Sequence, residues 1–506
     1  MLIVLTLLTY FAVLTVVSRL TARHSDNETF FRGNRRSPWY MVAFGMVGAS
    51  ISGVTFVSVP GMPMSSDMTY LQMCLGFIVG YFVVAFVLLP VYYRLNLTTI
   101  YSYLDHRLGR RSYLTGASFF LLSKLTGAAV RFYVVCLLLH HFVVSPLVPA
   151  GNGWDSLSFC LTAMVMVALI WVYTRRGGIR TLVWTDTFQT LCLFAALCLI
   201  IVSVAHAMGL SLSDAVSTVA ADSHSRIFEW DWLSRQNFWK QFVSGIFVVV
   251  VMTGLDQDMM QKNLTCRSLR DAQKDMCTYG FLFFPANLLF LSLGVLLMLL
   301  AAREGTPLPS VPDDLLPMFA ATGSLGTGVV VLFTIGIMAA CFSSADSALT
   351  ALTTSFCVDI CQRPSDERLR RRAHIGICVV FTLFIIAFRT FNSTSIIDAI
   401  YILCSYTYGP LLGLFAFGLL TRRQFTRASV GRDRLVPWVC VASPLLCYAA
   451  STATALLTDY RFGYELLLLN GLLTFAGLWL LSRPRFLSFP PGIPCTDSST
   501  TTVPPR

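Results

Sequence analysis

Thirteen stretches of the chain are apolar over about the 20 residues that a helix needs to cross a bilayer. They lie near 2–18, 41–63, 69–93, 113–139, 157–174, 183–208, 237–257, 277–302, 321–358, 374–391, 396–420, 436–457 and 461–482. In hydrocarbon no water satisfies a free backbone N–H or C=O, so each stretch must close its hydrogen bonds internally as a helix. The fold class follows as an all-α polytopic membrane protein with about 13 transmembrane helices. Only 12% of the residues are charged, which excludes a soluble globular reading.

Those few charges are sorted. Segments 19–38, 94–112, 175–180, 258–276, 361–373, 421–435 and 483–506 hold 29 Lys and Arg, whereas the alternate segments hold 6. Basic loops stay on the cytoplasmic side, so the N-terminus is expected outside and the C-terminus inside a cell (plasma or inner) membrane. The net charge of +11 therefore reflects topology, and no nucleic-acid partner is expected. The first span lacks a basic leader and a small-residue cleavage site, and reads as a retained helix rather than a signal peptide. Fifteen cysteines show no CxxC pair or His/Cys ligand spacing and read as small buried residues. The polar, Pro-rich tail 483–506 reads as disordered and cytoplasmic. No soluble domain is expected beyond it.

Two spans are unusual. From Ala339 to Thr354, at about 100° per residue, Ser343, Ser347, Thr350 and Thr354 share a narrow sector, with Ala340 and Ser344 at its border. Such a stripe either bonds back to its own helix or faces protein, a solvated cavity or an ion, and Asp346 beside it favours the second. From Gly45 to Pro63, Gly, Ser and Pro recur within one crossing, which is costly in lipid unless the freed backbone lines a cavity or binds an ion. A discontinuous helix is expected there. A second break is expected at Val251–Asp258, where Gly254 precedes Asp256 and Asp258. Five spans separate the two, the interval of an inverted 5+5 repeat whose halves each open with a broken helix.

Six landmarks then carry a resemblance: Gly48-Ala-Ser-Ile-Ser-Gly53 with Pro60-Gly61; Leu75 to Gly80 ending in Leu89-Pro90; Tyr103 to Gly109; Trp184 to Gln189; Asp256 to Gln261; and Ser343 to Ser347 with Asp359. In order and spacing the chain resembles the sodium:solute symporter family, over nearly its whole length. The resemblance implies the leucine-transporter-type architecture. A leading helix and cytoplasmic loop would occupy 1–40, the ten-helix inverted-repeat core 41–420, and two trailing helices 421–482. It implies sodium-coupled uptake of a small organic solute by alternating access, with Na+ as coupling ion, no organic cofactor and no enzymatic activity. A proton-coupled or sodium-independent carrier on the same scaffold is the alternative, given Asp186 and Asp346.

Carried over position by position, the resemblance assigns a sodium site to Gly48, Ile51, Ala340, Ser343 and Ser344. Carbonyls at a helix break and hydroxyls opposite supply the hard oxygens that sodium prefers. A second cation site seen in some relatives maps onto Asp186, Ser343, Asp346 and Ser347, with a carboxylate at 346 where those relatives carry a hydroxyl. Asp186 could instead pair with Arg180 or another loop arginine. The substrate wall is expected to include Thr55, Phe56, Gln72, Met252 and Asp256; with Val249 and Met252 where sugar carriers place polar groups, a sugar of that type is disfavoured.

Lys124 and Arg131, about 20° apart around one helix, form a cationic stripe. They suit an anionic solute, or more simply Lys124 snorkels or pairs with an acidic neighbour. Asp256 and Asp258 are expected nearer the inner mouth than the solute. The seven histidines form no motif, and neither a GxSxG elbow nor a filter-like carbonyl run is present, which argues against an enzyme or a channel.

Overall fold

In a computed structural model, the structure describes residues 2–21, 26–140, 144, 154–321, 323–391, 396–423, 425, 432–458 and 462–482. Among these residues there is no strand, and one isolated bridge joins Ser37 to Cys266. The expected tail at 483–506 lies outside the described residues.

The principal helices run in order as α1 (Leu2–Thr21), α2 (Trp39–Ser50), α3 (Gly53–Gly61), α4 (Tyr70–Arg94) and α5 (Arg110–Leu139). Next come α6 (Asp155–Arg175), α7 (Gly178–Ala207), α8 (Phe238–Gly254), α9 (Gln257–Asn263) and α10 (Leu269–Glu304). The chain closes with α11 (Thr327–Ile360), α12 (Glu367–Phe391), α13 (Ile396–Leu420), α14 (Val436–Leu457) and α15 (Leu466–Leu481). Among the described residues eight helices are apolar and long enough to cross a membrane. Two more crossings are bent pairs, α2 with α3 at 62° and α8 with α9 at 70°. The first break falls where Gly, Ser and Pro interrupt the apolar pattern and the second where Gly254 precedes Asp256 and Asp258, and the helices between them supply the expected five-span interval.

Bulky apolar side chains such as Leu5, Phe86, Leu191, Leu383 and Leu445 are exposed around the outside, as a lipid-facing surface requires. The interior is built around α11, in which every residue from Gly336 to Ser355 is buried. Its small residues let other backbones come close. A Cβ on Gly53 of α3 would stand 1.8 Å from Cys341 Sγ of α11, and one on Gly48 of α2 would stand 1.9 Å from Thr190 Oγ1 of α7. Gly178, at φ 49°, turns the chain sharply between α6 and α7 against Phe30, a conformation and a space that suit glycine alone. Every cysteine among the described residues is free.

Candidate functional site

At the first break, the α2 ladder ends where Ile51 N–H donates to the Val47 carbonyl at 3.0 Å. Ser52 N–H turns instead to Ser50, so the ladder step that would use the Gly48 carbonyl is missing. Ile51 leaves the helical region at φ −76°, ψ 87°, and Ser52 restarts the helix as the α3 N-cap. Opposite the break, Ser344 Oγ of α11 donates to the Ala49 carbonyl at 2.9 Å and to the Ala340 carbonyl at 3.1 Å. Uncharged oxygens from both helices, the Ser344 hydroxyl and the Ala49 and Ala340 carbonyls, thus meet beside the break at Gly48–Ile51. Carbonyls and hydroxyls without a fixed charge are a donor set that fits a sodium ion.

Ser343, assigned to the same cage, points elsewhere. Its hydroxyl donates to Asp186 Oδ1 of α7 at 3.1 Å, and Ser347 Oγ lies 3.4 Å from Asp186 Oδ2. Asp346 is held beside them: its Oδ2 accepts from Tyr173 OH at 2.8 Å and its Oδ1 from Ser347 Oγ at 3.3 Å. Asp186, Ser343, Asp346 and Ser347 therefore come together as the resemblance implies. Among the described residues Asp186 pairs with neither Arg180 nor a loop arginine. Lys262 Nζ, from α9, stands 2.7 Å from its Oδ2, with the two side chains 2% and 1% exposed.

Further along α11 the stripe is divided. Thr354 bonds back to the Thr350 carbonyl of its own helix at 2.9 Å and also accepts from Gln261 of α9 at 3.0 Å. The back-bonding reading holds for Thr354, holds in part for Ser344, which bonds to both the Ala340 and Ala49 carbonyls, and fails for Ser343 and Ser347.

The second break is closed by charge. A widened turn over Val250–Gly254 ends α8, and Asp256 caps α9 by accepting Asp258 N–H at 2.8 Å. The carbonyls freed there accept from Tyr92 OH (Gly254, 2.9 Å) and Tyr101 OH (Leu255, 2.8 Å). Asp256 Oδ2 receives Lys124 Nζ of α5 at 3.1 Å and Tyr408 OH of α13 at 2.7 Å, and Lys124 also meets Asp258 at 2.6 Å. Lys124 is thus fully buried against acidic neighbours and does not snorkel.

A cavity lies between the breaks. Its wall includes Ser50, Ser52 and Thr55 from the first, Met252 and Asp256 from the second, and Lys124 and Arg131 from α5. Asp256, expected nearer the inner mouth, thus lies on the cavity wall. Two residues expected there do not line it. Phe56 is fully buried in packing, its ring 5.5 Å from Phe290 and 6.0 Å from Phe333. Gln72 holds the loop before α8: its Nε2 donates to the Gln236 carbonyl at 2.8 Å and its Oε1 accepts Glu229 N–H at 3.1 Å. Apolar position and motif proximity suggested both, but α3 turns Phe56 toward α10 and α11, and Gln72 is spent on loop backbone.

The sequence reading missed Lys262, counted there as a loop cation, and the tyrosines Tyr173 and Tyr408. Only the break itself, which turns the residues after Gly254 back into protein, could have signalled Lys262.

The profile of the "Sodium:solute symporter family" matches residues 30–428. The chain is 26% identical over 438 residues to the sodium/sialic acid symporter SiaT of Proteus mirabilis, covering 83% of this chain and 84% of that protein. It is 25% identical over 409 residues to the human sodium/iodide cotransporter, covering 78% and 61%. Among solved structures, a Na+-coupled sialic acid symporter in a substrate-bound outward-open state superposes with a TM-score of 0.78 at 21% identity, over 94% of this chain and 96% of that one.

Proposed function

Because the chain belongs to the sodium:solute symporter family, and is a secondary active transporter that couples uptake of a small organic solute to sodium across a cell membrane, we propose that its solute is an organic anion received by Arg131. The observation that carries this is the contrast between two neighbouring cations. Lys124 is neutralised by Asp256 and Asp258, whereas Arg131 lines the same cavity without a hydrogen bond or ion pair among the described residues. An intramembrane charge without a partner awaits one, and the planar guanidinium fork suits a carboxylate. Three of the relatives are named for sialic acid, iodide and, at 23% identity, monocarboxylates, which are anions, and a fourth at 25% identity for vitamins.

On this reading Thr55, Met252 and Asp256 complete the solute wall, and sodium is taken by Gly48, Ile51, Ala340 and Ser344, without Ser343, whose hydroxyl is turned to Asp186. Sodium and solute then share one broken helix. An ion that stabilises that break in one conformation also shapes the wall for the solute, and coupling follows if both favour the same state. The core at 41–420 would rock between states flanked by the helices at 1–40 and 421–482, with the N-terminus outside and the C-terminus inside, following the loop charges.

The test is uptake into proteoliposomes under an inward sodium gradient, with a panel of small carboxylates and their neutral amides. Sodium-dependent uptake of a carboxylate but not its amide, with KM raised at least about tenfold in Arg131→Gln, is expected for loss of one charge-assisted pair. Equal uptake of the amide, or an unchanged KM in Arg131→Gln, overturns the assignment.

A further inference from the structure

A buried carboxylate ringed by hydroxyls is a place where a cation belongs, and in this chain the cation is covalently attached. We propose that Lys262 is a tethered counter-ion, standing on Asp186 in place of a second mobile sodium, so that the carrier binds one sodium per molecule. This rests on the reading of the Ser344 site as the sodium site.

Three observations converge. Asp186 offers both oxygens inward, with Ser343 on one and Ser347 on the other, and that is a donor set a sodium would take. Lys262 Nζ already occupies the second oxygen at 2.7 Å. The lysine also cannot withdraw. All seven residues of α9 are buried. On its near side Gln261 donates to the Phe31 carbonyl at 2.8 Å, and on its far side Asn263 donates to Asp275 at 2.6 Å.

The neighbouring carboxylates are otherwise engaged: Asp346 accepts from Tyr173 and Ser347, and Asp258, one helical turn before Lys262, meets Lys124, so among the described residues Asp186 is the carboxylate within ion-pair distance of the Lys262 ammonium. Taking up sodium on Asp186 would push the ammonium off its partner in a water-poor interior, and an unpaired buried charge is strongly unfavourable. An ammonium satisfies the carboxylate as sodium would, but it never dissociates and so transfers no energy from the gradient.

The measurement is 22Na+ binding at saturation to the purified full-length transporter in detergent, for the wild type, Lys262→Met, Lys262→Arg and the double variant Asp186→Asn with Lys262→Met. The expected counts are one, two, one and one. Lys262→Met should also gain a sodium-dependent rise in thermal stability that potassium and choline do not give, because a ligand that binds the folded state stabilises it.

A wild type that binds two, or a folded Lys262→Met that still binds one, overturns the proposal. Should Lys262→Met not fold, the charge-neutral double variant decides: one sodium in both it and the wild type supports the tethered ion, and two in the wild type against one in the double variant refutes it. Ser344→Ala reads the other site separately. Undiminished sodium binding there removes the Ser344 assignment, while the difference between wild type and Lys262→Met still judges Lys262.

Discussion

Ser344 Oγ donates to the Ala49 carbonyl at 2.9 Å, tying the buried helix α11 to the turn where α2 unwinds. If this contact marks the ion site, sodium should raise the melting temperature of the detergent-purified protein in a saturable way, with lithium, potassium and choline as controls. A ligand at about 100 times its Kd stabilises by about 2.7 kcal/mol. Ser344→Ala should abolish the sodium-specific part, and a response equal for all cations would count against sodium binding at this break.

Lys124 and its two aspartates form a buried unit. Lys124→Met alone strands Asp256 and Asp258 and should cost about 3–5 kcal/mol, with sharply reduced yield of folded protein. Combining it with Asp256→Asn and Asp258→Asn should recover much of that stability in thermal melts. Additive losses across the three substitutions would show that the groups act independently.

Gln72 is expected to matter for the loop before α8 and not for solute recognition. Gln72→Leu leaves the Glu229 N–H and the Gln236 carbonyl without their partner, a loss of about 1–3 kcal/mol. Limited proteolysis should then cut sooner between Arg226 and Lys240, while KM for the solute stays near the wild-type value. A large rise in KM with an intact loop would restore Gln72 to the solute wall.

Thr55 and Phe56 are adjacent in sequence and opposite in consequence. Phe56→Ala should destabilise by about 3–5 kcal/mol, as other large core truncations do, without a selective change in KM. Thr55→Val should leave the melting temperature within about 1 kcal/mol of equivalent stability and change KM, because its hydroxyl edge borders the cavity. Reversed effects would exchange their roles.

Much of this was legible because the bilayer enforces simple rules. A helix that must satisfy its own backbone announces a break through Gly, Ser and Pro, as at residues 45–63, or through a Gly followed by carboxylates, as at Gly254, and both breaks stand where that chemistry predicts them. The hydroxyls of Ser343, Ser344 and Ser347 likewise face protein and not lipid. Contacts made across a break were not legible. Lys262 follows Asp258 by one turn and reads as a loop cation when the span is taken to end near 257, yet α9 carries it inward to Asp186. Phe56 failed for a related reason: helical periodicity gives a face, while the direction of that face depends on the 62° bend, which no spacing encodes; Gln72, on α4, failed because its amide is taken by backbone of a loop 157 residues further along the chain. Arg131 was visible as one of two equivalent cations, and only the position of Asp256 and Asp258 distinguishes it from Lys124.

The two broken helices share a plan but differ in stiffness. Ser52 restarts the first through a hydroxyl 3.5 Å from Thr55 N–H, a loose closure. The second is clamped by a carboxylate cap at 2.8 Å, an ammonium and two tyrosine hydroxyls on the freed carbonyls. One joint is a swinging leaf and the other its fixed post. Amide hydrogen exchange should therefore be faster at residues 52–56 than at 256–260, and the asymmetry should shrink when sodium is added; equal rates at the two joints would mean that the halves move as equals.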